Sequence, residues 1–167
     1  MCLSVTSCFS VNSSESITPS SSEISSVLTK GNQLVEEGKY IDALEYYKSE
    51  LEMGDPIGKV ILWGEIIQVY KKIGDNKNAI LSVKERLKVA KASNDIQVLL
   101  LALGTASVNF MRLGDSTSAL VTSDKLIELH KSSNDSANMA EGYKIRGIVF
   151  RELNKMEEAI DNFQTAY

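Results

Sequence analysis

The stretch from Asp55 to Ser93 reads DPIGKVILWGEIIQVYKKIGDNKNAILSVKERLKVAKAS. It contains two amphipathic helical patterns that meet at Ile73-Gly74-Asp75. In the first, Trp63 and Tyr70 recur on one face with Ile66 and Ile67 between them. In the second, Ala79, Ile80, Val83, Leu87 and Ala90 recur at helical spacing. The join is a short turn built on a glycine and an aspartate, so the helices must fold back as an antiparallel pair. Neither helix buries its apolar face alone, and any similar unit before or after would stack onto it.

Similar units are present. GKYIDALEYY starts at Gly38, GDNKNAILSV at Gly74, GDSTSALVTS at Gly114 and NKMEEAIDNF at Asn154, with spacings of 36, 40 and 40 residues. An alanine sits five residues into each: Ala43, Ala79, Ala119 and Ala159. A recurring period of this size marks a solenoid, in which each unit covers the face of its neighbour.

Composition agrees. At 167 residues and 43% hydrophobic, the chain can hold one modest domain. A net charge of −4 gives no electrostatic case for nucleic acid. Cys2 and Cys8 both lie in the N-terminal arm, so no disulfide framework staples the core. No apolar run reaches the length of a membrane span. A cytoplasmic location is expected.

In chain order, residues 1–23 are serine-rich and read as a disordered arm. The arm lacks a basic start and an apolar centre, so it is not read as a secretory signal. N-myristoylation is excluded by Cys2 at the second position; Cys2 and Cys8 are read as tail thiols, with S-palmitoylation as the alternative. The solenoid is expected over 24–167, as repeats at 24–55, 56–94, 95–134 and 136–167, the last one truncated. Helix one is expected at 22–37, packing through Val27, Leu28, Gly31, Leu34 and Val35. Helix two is expected from Lys39 to Met53 and closed by Gly54. Asp55 is read as an N-cap with Pro56 at the first helical position. Asp95 and Asp135 open helices five and seven. Phe110 faces the core in helix five, and Tyr143, Gly147 and Phe150 do so in helix seven. Ala166 and Tyr167 read as mid-helix residues, which suggests a longer protein.

No catalytic constellation stands out, and a non-catalytic protein is expected. His130, near the end of helix six, reads as a surface or helix-terminal residue, since no nucleophile accompanies it. The Gly-Asp pairs are turns and not phosphate loops. No Cys/His set has metal spacing, and no cofactor is expected. Glu36, Glu37, Glu157 and Glu158 read as solvated helix faces.

The repeat pattern resembles the tetratricopeptide repeat. Trp63 and Tyr70 match the first helix of its repeat. Tyr40, Ala43 and Tyr47, and later Ala159, Phe163 and Ala166, match the second. The period exceeds the family's usual length of about 34 residues. The resemblance implies an all-α, right-handed solenoid of helical hairpins whose first helices line a concave surface. That groove is then lined by Asn32, Val35 and Glu36; by Ile61, Gln68, Lys71 and Lys72; by Leu101, Val108, Met111 and Arg112; and by Lys144, Ile148 and Arg151. Apolar patches flanked by cations suit a helical or extended segment with apolar anchors and some acidic residues. The carboxylate clamp of chaperone-binding members is not expected. Only Asn32 fits it, and its other positions hold Leu28, Gly64, Gln68, Leu101 and Thr105.

Lys30 to Leu129 also resembles the N-terminal repeats of the rapsyn family, cytoplasmic scaffolds that cluster acetylcholine receptors. Lys30-Gly31, Gln33-Leu34, Ala43-Leu44, Leu51-Glu52 and Ile61-Leu62-Trp63-Gly64 carry the likeness, together with the unequal first spacing. The resemblance implies self-association and contact with a receptor's cytoplasmic helix. It also implies a peripheral place at the inner face of the plasma or postsynaptic membrane. The serine arm beginning at Cys2 departs from that family's myristoylated start. A generic cytosolic adaptor, or the recruiting part of a larger enzyme, is the alternative.

Overall fold

A computed structural model describes residues 21–52, 54–132 and 136–167. The serine arm up to residue 20, Met53 and the Asp135 cap lie outside the described residues. Among the described residues eight helices follow one another: α1 Ser21–Glu36, α2 Tyr40–Glu50, α3 Pro56–Lys72, α4 Asn76–Ala92, α5 Ile96–Arg112, α6 Ser116–Ser132, α7 Ser136–Glu152 and α8 Met156–Thr165. Among the described residues there is no strand.

Each hairpin turns in the same way. Gly38, Gly74 and Gly114 take positive φ values of 75°, 76° and 84°, and Asn154 takes 58° at the fourth turn. At the second turn the amide of Asp75 donates to Tyr70 O and that of Gly74 donates to Lys71 O. At the third, Asp115 donates to Phe110 O and Gly114 to Met111 O. This Schellman arrangement satisfies helix-end carbonyls and requires a left-handed residue, which glycine and then asparagine supply most cheaply. Asp75 and Asp115 at once cap the next helix, accepting from the amides of Asn78 and Ser118 at 3.0 Å each. Asp55 and Asp95 cap α3 and α5 as expected.

The alanine of each hairpin is buried in its second helix. Ala43, Ala79 and Ala119 are fully buried and Ala159 is 1% exposed. Gly31 lets the two helices of the first hairpin close, since a Cβ there would fall on the ring of Tyr47. Gly147 and Phe163 repeat the arrangement in the fourth hairpin.

Consecutive helices pack against one another throughout. Beyond that, α1 touches α3, α3 touches α5 and α5 touches α7, whereas among the described residues no even-numbered helix touches another. The odd helices therefore form the tighter, inner layer and the even helices the outer one. The chain is an α-solenoid of antiparallel hairpins, curved so that α1, α3, α5 and α7 face inward.

Several local expectations change. Helix two stops at Glu50, where the Leu51 amide turns back tightly to Lys48 O, so Gly54 does not close it. The residues beyond the usual repeat length extend α3 to α7, which are each 17 residues long. The shorter first spacing comes from α2, which has 11 residues. Helix eight runs to Thr165, and Ala166 keeps the right-handed helical conformation, its amide donating to Asn162 O. His130 lies in the last turn of α6, a helix-terminal place as expected, but is 6% exposed and so not a surface residue. It stands one 40-residue period after Ala90, itself a core position. In α7 the deepest residues are Ile145 and Val149, with Tyr143 and Phe150 half-buried.

Candidate binding groove

The inner layer holds an open groove of about 480 Å³ where α3, α5 and α7 meet. α3 contributes Gln68 and Lys71, and α7 contributes Glu141 and Ile145. α5 runs along the middle with Leu100, Leu101, Gly104, Thr105, Val108, Asn109 and Arg112. Five of the residues read from the sequence are thus brought together: Gln68, Lys71, Leu101, Val108 and Arg112. Leu101 is 50% exposed, an apolar side chain open to solvent.

The other expected residues do not line this groove. Asn32 is exposed on α1, and its Oδ1 accepts from the Tyr47 hydroxyl at 2.9 Å. Lys72, one residue beyond Lys71, is exposed outside the groove. Met111 packs against the core, because its flexible apolar chain gains more there than in water. On α7, Lys144 pairs with Glu141 at 3.3 Å and Arg151 with Glu152 at 3.2 Å, while Ile148 is half-buried.

Lys71 ties α3 to α5. Its ammonium donates to Gln68 Oε1 at 3.2 Å and to Asn109 Oδ1 at 3.4 Å. Burial, and then the nearby charge of Arg112, hold its pKa below the ordinary lysine value.

Seven lining residues were not read from the sequence: Leu100, Gly104, Thr105 and Asn109 of α5, Glu141 and Ile145 of α7, and Arg86, which comes from the other layer. Arg86 belongs to α4, in the outer layer, yet lines the inner groove. It passes Gly64 of α3, where a Cβ would stand 3.6 Å from the guanidinium carbon, and donates from Nη1 to Thr105 Oγ1 at 2.7 Å. It is 8% exposed. A signal for it exists. One period later the same position is Leu126, 3% exposed, so an arginine here interrupts an apolar register. Burial lowers the Arg86 pKa and Glu65 raises it. Glu65 is pushed up by its own burial and pulled down by Arg86. The arginine nonetheless stays charged.

Among the described residues, no group of three His, Cys, Asp or Glu is placed to hold a metal ion, and no helix is long and apolar enough to cross a membrane. The groove offers cations, amides and apolar side chains, an arrangement suited to binding.

No family model matches the chain, and no curated protein matches it in sequence. Solved structures match its shape. Kinesin light chain repeats of Podosopora anserina, described as nearly identical TPR-like repeats, superpose with a TM-score of 0.70 at 10% identity, over 88% of this chain and 74% of that one. RapI in its apo form gives 0.67 at 21% identity, over 84% of this chain and 40% of that one. The TPR2AB domain of yeast Sti1, solved in complex with a pHSP90 partner, gives 0.52 at 13% identity, over 88% and 77%. At these identities the likeness establishes the fold, a tetratricopeptide-repeat solenoid.

Proposed function

We propose that the chain is a protein-binding scaffold whose groove between α3, α5 and α7 receives a peptide or helical segment of a partner. The observation that carries this reading is the pairing of an exposed apolar residue, Leu101, with the cations Lys71 and Arg112 on one concave wall. Apolar anchors supply affinity and the cations set register and partner choice. The Sti1 structure, a complex with a pHSP90 partner, supports a segment-binding role for this fold. The test is selection of short displayed segments on the wild-type chain, followed by measurement on Leu101→Asp combined with Arg112→Glu. Both residues are exposed, so the fold should persist. Affinity should fall by about 2 kcal/mol or more. Unchanged affinity would remove the groove as the binding surface.

A narrower version makes the partner the cytoplasmic helix of a receptor, gathered as by the rapsyn family. Its support is the sequence resemblance from Lys30 to Leu129. A synthetic acetylcholine-receptor cytoplasmic helix tests it: binding that Leu101→Asp abolishes supports the version, and no binding to the wild-type chain rejects it.

A further inference from the structure

We infer that Arg86, reaching past Gly64 to the floor of the groove, is the counter-ion for a carboxylate side chain of the bound segment, so that the groove selects an aspartate or glutamate flanked by apolar residues. The inference rests on the groove being the binding surface and specifies what the groove reads.

Arg86 is more than nine-tenths buried and lines the groove. Among the described residues it makes no ion pair, and its hydrogen bond to Thr105 is the only one it donates. Its Nε is enclosed and meets no acceptor. A buried guanidinium bears a desolvation cost that one hydrogen bond to a hydroxyl and the more distant charge of Glu65 offset only in part. Packing does not require it, because Leu126 fills the same position in the next hairpin.

The surroundings add positive charge. Lys71 and Arg112 stand on the same wall, close enough for Arg112 to depress the lysine. The carboxylates nearby do not cancel this excess. Glu65 feels Arg86 without pairing to it, and Glu141 at the rim is engaged by Lys144. A single-charged carboxylate fits better than a phosphate. Glu65 would repel a dianion more strongly, and so little of Arg86 is exposed that only a slender group reaches it. Leu100, Leu101 and Val108 beside it provide the apolar flank.

A library of random segments, fused through their C-termini to a phage coat protein, offers side-chain carboxylates and no free terminal one. Selected on the full chain, it should enrich an Asp or Glu next to Leu, Ile or Phe. In the best synthetic segment, amidated at its C-terminus, Glu→Gln should cost about tenfold or more in Kd. The Arg86→Leu chain should lose the same factor and no longer distinguish Glu from Gln. Arg86→Lys should keep part of the preference. Enrichment indifferent to acidic residues, a Glu→Gln loss undiminished on Arg86→Leu, or tighter binding of a phosphoserine in place of the glutamate would each overturn the assignment. Segments sensitive to Leu101→Asp but indifferent to Glu→Gln would leave the groove standing and remove only the role of Arg86. Segments indifferent to Leu101→Asp, or no enrichment at all, would remove the groove itself.

Discussion

Gly31 lies directly against the ring of Tyr47, so closely that any Cβ on Gly31 would overlap it. The ring cannot give way, because Tyr47 is fully buried and its hydroxyl is tied to Asn32. Its pKa is pushed up to about 12, chiefly by burial. The same two positions one period on hold Ile67 and Val83, then Ser107 and Ser123, then Gly147 and Phe163. A bulky residue on one helix is thus met by the smallest one on the other at both ends of the solenoid.

Gly31→Ala should therefore destabilise the chain by about 1–3 kcal/mol through overpacking. Gly104→Ala, where the new methyl would meet Leu126 at an ordinary 3.9 Å, should stabilise it by about 0.5–1 kcal/mol through helix propensity. Urea unfolding of the two variants checks the opposite signs.

At the hairpin turns the cost is in the backbone. Nothing lies within 4 Å of a Cβ built on Gly114, but its φ is 84°. Gly114→Ala should lose about 1–2 kcal/mol. Gly114→Asn should lose less, since Asn154 already holds this conformation at the fourth turn. Thermal melts of both variants decide it; equal losses would contradict the turn geometry.

Ala79 is fully enclosed between helices. Ala79→Arg forces a charge into that contact and should abolish cooperative unfolding. An unchanged melting curve by circular dichroism would contradict the hairpin packing.

Arg86→Leu replaces a buried, ion-pair-free charge by the residue of the next hairpin. With Glu65 protonated it should leave stability equal or raise it by about 1 kcal/mol or more, and the gain should shrink as pH rises and Glu65 ionises without its neighbour. It also removes the charge that holds Glu65 down, so the Glu65 carboxyl should titrate at higher pH in the variant. Its folded pKa already lies above the ordinary 4.5. The folded chain therefore holds the proton more tightly, and the associated stability is full below 4.5 and lost as pH rises through the folded value. Arg86→Leu should widen that window upward. Carboxyl NMR of Glu65 in both chains measures the shift, and identical titrations would contradict the proximity.

The architecture was legible because its signals are local and repeated. The buried alanines and the left-handed turn residues recur in phase, and each is fixed by contacts within one hairpin. Asp55 and Asp95 were legible as caps for the same reason. The groove was legible only in part. Assigning it to first helices found Leu101 and Lys71, but Lys72 and Met111 show that neighbours in sequence turn to different surroundings. Arg86 was missed because it reaches the inner wall from a second helix, through a gap set by Gly64 on another element. The helix-terminal place of His130 was legible, but its burial was not, because that depends on the stacking of whole hairpins. Comparison with Ala90 and Leu126, one period away, would have flagged both positions.

The central claim is that the inner wall of α3, α5 and α7 binds the partner segment. Titrating the isotopically labelled chain with the best selected segment and mapping the NMR shifts tests it most directly. The account predicts perturbations centred on Gln68, Lys71, Leu101, Thr105 and Val108, with Leu81 and Val121 on the outer helices unmoved. Shifts centred on Leu81 and Val121, with the inner wall silent, would contradict it.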